Sequence, residues 1–148
     1  MALFLEFLAQ QWILVAALLA VVVMLLTHET RKGGQALSPQ QAINLVNAEQ
    51  GVFVDLRDVR ERQRMGYIPG SFHCPRGMAE FWVDPQSPYF KDIFGEDKKF
   101  VFHCASGWRS ALTVATLNDM GFDAAHLKEG FGTWEKQGGP VVHPEDKG

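Results

Sequence analysis

An unbroken run of 15 apolar residues, WILVAALLAVVVMLL at positions 12–26, divides this chain of 148 residues into two unlike parts. The first 28 residues carry one charged side chain, Glu6, and every lysine and arginine lies beyond them. A helix that is apolar on all sides has no polar face to turn towards water, so it must be surrounded by lipid or by protein. Residues 1–28 are therefore expected to form a unit separate from the rest of the chain.

We predict that residues 1–28 form an uncleaved transmembrane anchor. A membrane-spanning helix needs about 20 residues, and extending the apolar run back to position 7 reaches that length with two glutamines included. A cleaved signal peptide, the main alternative, carries positive charge before the run and a small-x-small site after it. Here no lysine or arginine precedes the run, and LLTHET follows it. A buried helix is the third interpretation.

The charges after the run predict the orientation of the anchor. Arg31 and Lys32 follow it directly, and positively charged residues next to a span tend to stay in the cytoplasm. We therefore expect a single-pass protein of the cytoplasmic membrane whose C-terminal domain lies in the cytoplasm.

Beyond the anchor, apolar strand-like runs alternate with helix-prone segments. A polar linker is predicted at residues 29–37 and a polar tail at residues 143–148. Ser38 and Pro39 supply an N-cap and a first-turn proline, so they predict the start of a helix, which Gly51 is expected to close. The later helix-prone segments are DVRERQRM, residues 109–120 and GFGTWEKQG.

The strand-like runs are VFVDLR, a short segment of IPGSFHCP, FVFHC and AAHLK. A long connection rich in aromatic residues and prolines joins the second of these runs to the third. Strands that alternate with helices predict an α/β fold, in which helices cover both faces of a mainly parallel sheet. We assign this domain to residues 38–142.

The overall charge and the cysteine content exclude several classes of function. The net charge is −3, which provides no strongly basic surface, so no nucleic-acid partner is expected. The two cysteines, Cys74 and Cys104, match no metal-ligand spacing and are too few for a disulfide framework. We expect reduced thiols, no metal and no cofactor.

Cys104 ends a predicted strand, and HCASGWRS leads directly from it into a predicted helix. Ligands of parallel sheets bind beyond the carboxyl ends of the strands. The N–H groups of the turn, the helix dipole and the Arg109 guanidinium are expected to lower the pKa of the thiol. Gly107 permits a tight turn, and Ser110 can form a hydrogen bond within the loop. A structural cysteine is the alternative, but this combination of residues favours a reactive one.

The segment CASGWRS resembles the active loop of the rhodanese sulfurtransferases, whose pattern is C-x-x-G-x-R-S. Upstream, VDLRDVRERQRMGYIPG resembles the family elements D-x-R-x-x-x-E and G-H-I-P-G-A, and LKEGFGTWEKQGGP resembles its closing segment. The three elements occur in the family's order within residues 38–142. Tyr67, Ser71, Ala105 and Phe131 differ from the residues that the family commonly has at these positions.

The resemblance implies a thiosulfate-type sulfurtransferase that carries sulfane sulfur as a persulfide on Cys104, its catalytic residue. The donor would be a small sulfur-containing anion such as thiosulfate, and the acceptor a thiol, a protein cysteine or cyanide. The loop would bind the transferred sulfur through Ala105, Ser106, Gly107, Trp108, Arg109 and Ser110. The supporting residues would be Asp55, Arg57 and Glu61, the first two as a structural ion pair.

Two other functions stay open. A phosphatase or arsenate reductase is suggested by HC followed by Arg, although the resemblance associates that chemistry with a loop one residue longer. The other alternative is a membrane-tethered module that relays sulfur to, or binds, a protein partner.

Several neighbouring residues are assigned mainly packing roles. His103 is expected to point away from Cys104, since successive strand residues face opposite sides. Cys74 is expected to be a buried thiol, with a resolving cysteine as the alternative. The aromatic residues of positions 77–94 either cover the core or form an apolar lid beside the active loop; they are Phe81, Trp82, Tyr89 and Phe90.

Overall fold

The computed structural model describes residues 1–32 and 34–144, with the side chains of all of these except residues 29–32. The chain divides into two compact units, Met1–Lys32 and Gly33–Gly148. The larger unit contains the whole of the predicted α/β domain.

Some of the sequence predictions fall outside the described residues. The predicted linker includes Gly33, and the predicted polar tail includes residues 145–148. The side chains of Arg31 and Lys32, on which the predicted orientation depends, also lie outside them. The orientation of the chain in a membrane therefore stays a prediction.

Two helices form the N-terminal unit: α1, Ala2–Gln10, and α2, Trp12–Lys32. Gln11, at φ −110° and ψ 31°, leaves the helical region and ends α1. The two helices meet at a bend of 83°, so the structure does not show the single transmembrane helix that the sequence predicts, and the anchor stays a prediction. Among the described side chains, neither helix alone is long and apolar enough to cross a membrane; the bent pair qualifies by length and composition only.

Five parallel strands form the sheet of the larger unit. They are β1 (Gln35–Leu37), β2 (Gly51–Asp55), β3 (Phe72–His73), β4 (Lys99–His103) and β5 (Ala124–Leu127). Their order across the sheet is β1-β5-β4-β2-β3, and every neighbouring pair is parallel. The predicted parallel α/β fold is confirmed, and the carboxyl ends of all the strands meet at one edge.

Helices cover both faces of this sheet. They are α3 (Pro39–Asn47), α4 (Val59–Met65), α5 (Ala79–Val83), α6 (Trp108–Asp119) and α7 (Gly130–Lys136). Phe102 of β4 joins a buried cluster with Val114 of α6, whereas Val101 joins a second cluster with Ala42 of α3 and Trp134 of α7. Successive residues of β4 thus serve opposite cores, as the alternation along a strand requires.

Capping residues account for the start of two of these helices. The Ser38 hydroxyl accepts the Gln41 N–H and the Gln41 side chain accepts the Ser38 N–H, so the predicted N-cap is confirmed as a capping box. Asp58 and Glu61 make the same reciprocal pair at α4. The prediction that Gly51 closes α3 is wrong, because Gly51 begins β2 and pairs with Lys99.

Part of the predicted linker, residues 29–37, is a strand instead. β1 pairs with β5, and its last residue, Leu37, is buried beside Leu127. An edge strand of three residues needs only one buried side chain, so its composition does not distinguish it from a linker.

The long aromatic connection is more regular than predicted. It contains α5 and two 3₁₀ turns, Arg76–Met78 and Asp92–Gly95. Phe94 is buried against Phe72, Phe100 and Phe122, with ring centroids 5.3–5.9 Å away. Burial of this aromatic group compensates for the conformational entropy lost when the connection is ordered.

His103 is buried and neutral in this fold. Neither of its ring nitrogens bonds to a described residue, and the ring lies 6.2 Å from Phe53 and 6.4 Å from Phe131, centroid to centroid. Burial lowers the pKa of His103 to about 4, despite the opposing charge of Asp55. The predicted packing role is consistent with these contacts.

We predict that the protein loses stability as the pH falls from about 6.5 to about 4. The imidazole of the unfolded chain takes up a proton near its ordinary pKa of 6.5, and the folded one only near about 4. Protonation therefore favours the unfolded state throughout this window, and the loss levels off below it. At about 1.4 kcal/mol per pKa unit, the loss reaches about 3 kcal/mol. Thermal unfolding of the full-length chain across this pH range measures it.

His103→Leu is the matched control, because it removes the titrating group and keeps an apolar side chain in the core. Its stability should fall much less over the same pH window. Asp55 does not contribute to the pH dependence in this window. Its pKa is lowered from the ordinary value of 3.8, so its carboxylate takes up a proton only at lower pH. Equal pH dependence in the two chains would contradict the prediction.

Candidate active site

Cys104 follows the last residue of β4 and lies at the carboxyl edge of the sheet. Four residues separate it from Arg109, and α6 begins at Trp108. Gly107 is the N-cap of α6 with φ 96°, in the left-handed region that favours glycine. The predicted strand-to-helix loop is therefore present, and the left-handed glycine turns the chain back over the cysteine.

The loop groups its hydrogen-bond donors around the sulfur of Cys104. The Gly107 N–H donates to Sγ at 3.1 Å, and the Ser110 hydroxyl lies 3.6 Å from Sγ. Burial raises the pKa of the Cys104 thiol, but the Ser110 hydroxyl and the N–H groups of Ser110, Gly107 and Ser106 outweigh it. The net effect is a pKa below the ordinary value, which favours the thiolate, the nucleophilic form of cysteine.

The outer side of the loop is held by the start of α7. The N–H of Phe131 donates to the carbonyl oxygen of Cys104 at 2.8 Å, and that of Gly132 donates to Ala105 at 3.2 Å. Gly130 has φ 73°, and a Cβ there would lie 2.7 Å from the Cys104 carbonyl oxygen and 2.8 Å from that of Ala105. Only glycine permits this close approach, which keeps the loop carbonyls turned outwards.

The guanidinium of Arg109 is occupied by a carboxylate. Its two terminal nitrogens donate to the two oxygens of Glu61 at 3.0 and 3.1 Å. The hydrogen bonds that Arg109 donates to Glu61 are the main reason that the pKa of Arg109 is raised. Arg109 also interacts with Cys104, which raises the pKa of Arg109 to a smaller extent than Glu61 does, so the expected positive charge lies near the thiolate but is shared with Glu61. The neutral donors of the loop are the main cause of the lowered Cys104 pKa.

Asp55 and Arg57 form the predicted structural ion pair. Both side chains are fully buried, and Arg57 Nη2 lies 2.9 Å from Asp55 Oδ2. Arg57 also donates to the Gly66 carbonyl at 2.8 Å, and its guanidinium carbon lies 4.0 Å above the Phe131 ring. The pair thus connects the end of β2 with the start of α7, which holds the loop. Removing one partner of such a buried pair typically costs about 3–5 kcal/mol.

The second cysteine is unsuited to nucleophilic chemistry. Cys74 is buried, and its thiol is 3.9 Å from the Pro75 carbonyl oxygen. Burial, reinforced by Glu80, raises the pKa of Cys74 to about 12, so its thiolate is scarce near neutral pH. This agrees with the predicted buried thiol.

The remaining predicted residues divide between the core and the surface. Trp108 is 77% exposed although it belongs to the loop. Trp82 and Phe90 pack against the core, whereas Phe81 and Tyr89 form an exposed edge-to-face pair with centroids 6.2 Å apart. An apolar lid stays a prediction. Among the described side chains, no group of three or more His, Cys, Asp or Glu residues is arranged to bind a metal ion.

We predict that Ser110→Ala raises the pKa of Cys104, because the variant removes the largest of the contributions that oppose burial. The pH dependence of the rate of alkylation by iodoacetamide measures this shift. All chains in the experiment also carry Cys74→Ser, so Cys104 is the single thiol that reacts. Thr116→Ala, which removes an exposed hydroxyl from the same helix, serves as the control and should leave the profile unchanged. Identical alkylation profiles for the two variants would contradict the prediction.

Comparison with known proteins adds independent evidence. The model of the rhodanese-like domain matches residues 38–137. The Bacillus subtilis protein YtwF is 31% identical over 87 residues, which cover 57% of this chain and 77% of YtwF. The thiosulfate sulfurtransferase GlpE of Actinobacillus succinogenes is 26% identical over 106 residues, which cover 71% of this chain and 87% of GlpE.

A solved structure is also similar. It is a Rhodopseudomonas palustris protein of unknown function, described as a possible tyrosine phosphatase, with 53% identity and a TM-score of 0.72. The likeness covers 78% of this chain and 89% of that protein. The sulfurtransferase relatives, at modest identity, support a sulfurtransferase-type function. The matched residues 38–137 include the Cys104 loop and the whole of α7, and the chain belongs to the rhodanese-like domain family.

Proposed function

We propose that this protein is a sulfurtransferase that takes sulfane sulfur from thiosulfate, holds it as a persulfide on Cys104 and passes it to a thiol. The observation that carries the proposal is the environment of Sγ, with the Gly107 N–H at 3.1 Å and the Ser110 hydroxyl at 3.6 Å. The Gly107 N–H favours a thiolate, and a thiolate is required to attack a sulfur atom. The Ser110 hydroxyl donates to the Gly107 carbonyl oxygen at 3.1 Å and can rotate to donate to the thiolate instead.

In the first half-reaction, the Cys104 thiolate attacks the outer sulfur of thiosulfate. A new S–S bond forms, the S–S bond of thiosulfate breaks, and sulfite leaves with the electron pair. The negative charge of the terminal sulfur then lies beside the same N–H groups, which act as an oxyanion hole does for oxygen. Because these dipoles are fixed before the reaction, little reorganisation is needed.

In the second half-reaction, an acceptor thiolate attacks the outer sulfur of the persulfide. The bond between that sulfur and Sγ breaks, its electron pair returns to Sγ, and the acceptor leaves as a persulfide. No external oxidant or reductant is required, because the sulfane sulfur keeps its oxidation state. Cyanide accepts the sulfur in the same way and yields thiocyanate.

Thiosulfate as donor is supported by the GlpE relative, a thiosulfate sulfurtransferase at 26% identity. The anion would approach the outer face of Arg109, whose side chain is 41% exposed while Glu61 holds its terminal nitrogens. Since Glu61 balances much of the charge, we expect the attraction for a dianion to be modest. Close contact with the loop N–H groups would then supply most of the stabilisation.

Phosphatase activity is the second candidate, because the Rhodopseudomonas protein is described as a possible tyrosine phosphatase. A phosphoryl group brings several oxygens around its central atom, and the loop amides must surround all of them. Only four residues lie between Cys104 and Arg109, which gives a short ring of amides. That ring fits one added sulfur better, so sulfur transfer is favoured.

We propose further that the chain is attached to the cytoplasmic membrane by residues 1–28, with the catalytic domain in the cytoplasm. This rests on the apolar run at positions 12–26 and on Arg31 and Lys32 after it. A relay or binding module for a membrane-bound protein partner would share this location. A reporter protein fused after Gly148 tests this attachment and orientation. Reporter activity found only outside the cytoplasm, or a mature chain that lacks residues 1–28, would refute the proposal.

We predict that thiosulfate makes the full-length chain heavier by one sulfur atom and releases an equal amount of sulfite. Cys104→Ser should abolish both products, because a serine hydroxyl is not ionised near neutral pH and cannot form a persulfide. Cys74→Ser is the matched control and should keep most of the activity, since Cys74 is buried and its pKa is raised. Intact-protein mass spectrometry and a sulfite assay provide the measurements.

The same samples discriminate between the candidate functions. Hydrolysis of an aryl phosphate should be negligible beside sulfite release. Robust phosphatase turnover without a persulfide would overturn the proposal in favour of the phosphatase. The absence of sulfite, persulfide and phosphatase turnover would favour a binding module.

A further inference from the structure

Glu61 connects the active loop with a helix that lies 48 residues earlier in the sequence. Its Oε1 accepts a hydrogen bond from Arg109 at 3.0 Å. Its Oε2 accepts one from Arg109 at 3.1 Å and one from the Asp58 N–H at 3.2 Å. The same carboxylate therefore caps the start of α4 and pairs with the guanidinium of the loop.

The cap explains an oxygen atom at position 61, but not its negative charge. A capping box accepts Glu or Gln at this place, because the side-chain oxygen only has to accept the N–H of the N-cap residue. Gln41 does so for Ser38 at the start of α3. The helix dipole favours a negative charge in the first turn, and Asp58 already places a carboxylate at this end of α4. The charge of Glu61 therefore acts mainly on Arg109.

The paired charges lie where a donor must arrive. The Arg109 guanidinium interacts with Cys104 as well as with Glu61, so a single guanidinium group joins the carboxylate to the reacting sulfur. The Arg109 side chain is 41% exposed and that of Glu61 is 23% exposed, so both are in contact with solvent. A donor that approaches Cys104 from solvent therefore meets a guanidinium paired with a carboxylate rather than a free cation.

The effect of this pair depends on the charge of the donor. The Coulomb energy of two groups is proportional to the product of their charges. A doubly charged donor is therefore repelled by Glu61 twice as strongly as a singly charged donor of the same shape. The Cys104 thiolate adds to this repulsion, and Arg109 offsets only part of it.

We infer that Glu61 is a specificity-determining residue, which selects sulfane-sulfur donors by their charge. It favours donors with one negative charge, such as thiosulfonate or persulfide anions, over the thiosulfate dianion. Glu61 acts through the charge that it balances on Arg109. The inference rests on the proposed function, because it concerns the donor that loads the same Cys104.

Methanethiosulfonate is the probe that separates charge from shape, since a methyl group replaces one charged oxygen of thiosulfate. The Cys104 thiolate attacks its outer sulfur and forms a new S–S bond. The S–S bond of the donor breaks, and methanesulfinate leaves with the electron pair. The same persulfide forms as with thiosulfate, and no oxidant or reductant is required.

The test compares the full-length unaltered chain with Glu61→Gln, Glu61→Asp and Asp123→Asn. The rate of thiocyanate formation with cyanide gives kcat/KM for each donor, after the rate with Cys104→Ser is subtracted. This quantity reports the loading step alone, because the acceptor enters afterwards. Each variant is compared with the unaltered chain for the same donor, so the difference between the two leaving groups cancels.

The variants are matched to the two roles of Glu61. Glu61→Gln keeps an oxygen for the cap and removes the charge, whereas Glu61→Asp keeps the charge. Asp123→Asn removes a negative charge that pairs with Lys99 at 2.7 Å, at the start of β4 and thus at the opposite edge of the sheet. Thermal unfolding confirms that all three variants fold.

We predict that Glu61→Gln raises kcat/KM about threefold for methanethiosulfonate, the usual effect of one partly exposed charge. For thiosulfate the rise should be about tenfold, because a doubled charge doubles the change in free energy. Glu61→Asp should change both donors by the same factor. Asp123→Asn should change neither.

The salt dependence of the unaltered chain provides a second measurement, which needs no variant. Salt screens the charge interaction that controls the approach of the donor, and the screening length is about 8 Å at about 0.15 M. Raising the ionic strength to this value should not lower kcat/KM for thiosulfate relative to methanethiosulfonate. A clear relative fall would show that attraction by Arg109 dominates, and would overturn the inference.

Equal factors for the two donors in Glu61→Gln would show that Glu61 only positions Arg109, and would also overturn the inference. A shift of the donor ratio in Glu61→Asp as large as that in Glu61→Gln would do the same.

The proposed function fails separately, if thiosulfate releases no sulfite from the unaltered chain while methanethiosulfonate loads Cys104. In that case, sulfite release gained by Glu61→Gln supports the inference, and no gain overturns it. If neither donor loads Cys104 in any chain, both proposals fail.

Discussion

The active loop can direct its N–H groups towards Cys104 only if its carbonyl groups find partners on the opposite side. Buried carbonyls need hydrogen bonds, and here Phe131 and Gly132 donate them to Cys104 and Ala105. The backbone approach at Gly130 leaves no room for a Cβ. Arg57 lies 4.0 Å above the Phe131 ring and is held by Asp55. The start of α7, fixed by a buried ion pair, thus determines the orientation of the peptide groups around the sulfur.

This arrangement stabilises negative charge on sulfur mainly with neutral dipoles. Arg109 is paired with both oxygens of Glu61, and Glu61 also belongs to the capping box of α4. The positive charge of Arg109 is therefore balanced by Glu61, a residue that also caps the start of α4. Such a site suits a persulfide, whose single terminal sulfur needs few donors, better than a phosphoryl group with several charged oxygens.

Local patterns predicted much of this structure. The loop from Cys104 to Ser110, the Ser38 N-cap and the positions of the main strands along the chain all follow from short-range signals in the sequence, whereas the order of the strands across the sheet does not. The contacts that complete the site are between residues far apart along the chain. Nothing near Gly130 indicates that its missing Cβ faces the Cys104 carbonyl. β1 was missed because one buried leucine is too weak a signal.

We expect the start of α7 to control the reactivity of Cys104, and Gly130→Ala tests this most directly. Gly138→Ala is the matched control: both glycines have a positive φ, 73° and 81°, but a Cβ at Gly138 would meet nothing within 4 Å. In Cys74→Ser chains, the rate of Cys104 alkylation near neutral pH is measured for each variant. We predict a clear slowing for Gly130→Ala and an unchanged rate for Gly138→Ala. Equal rates in the two variants would contradict the account.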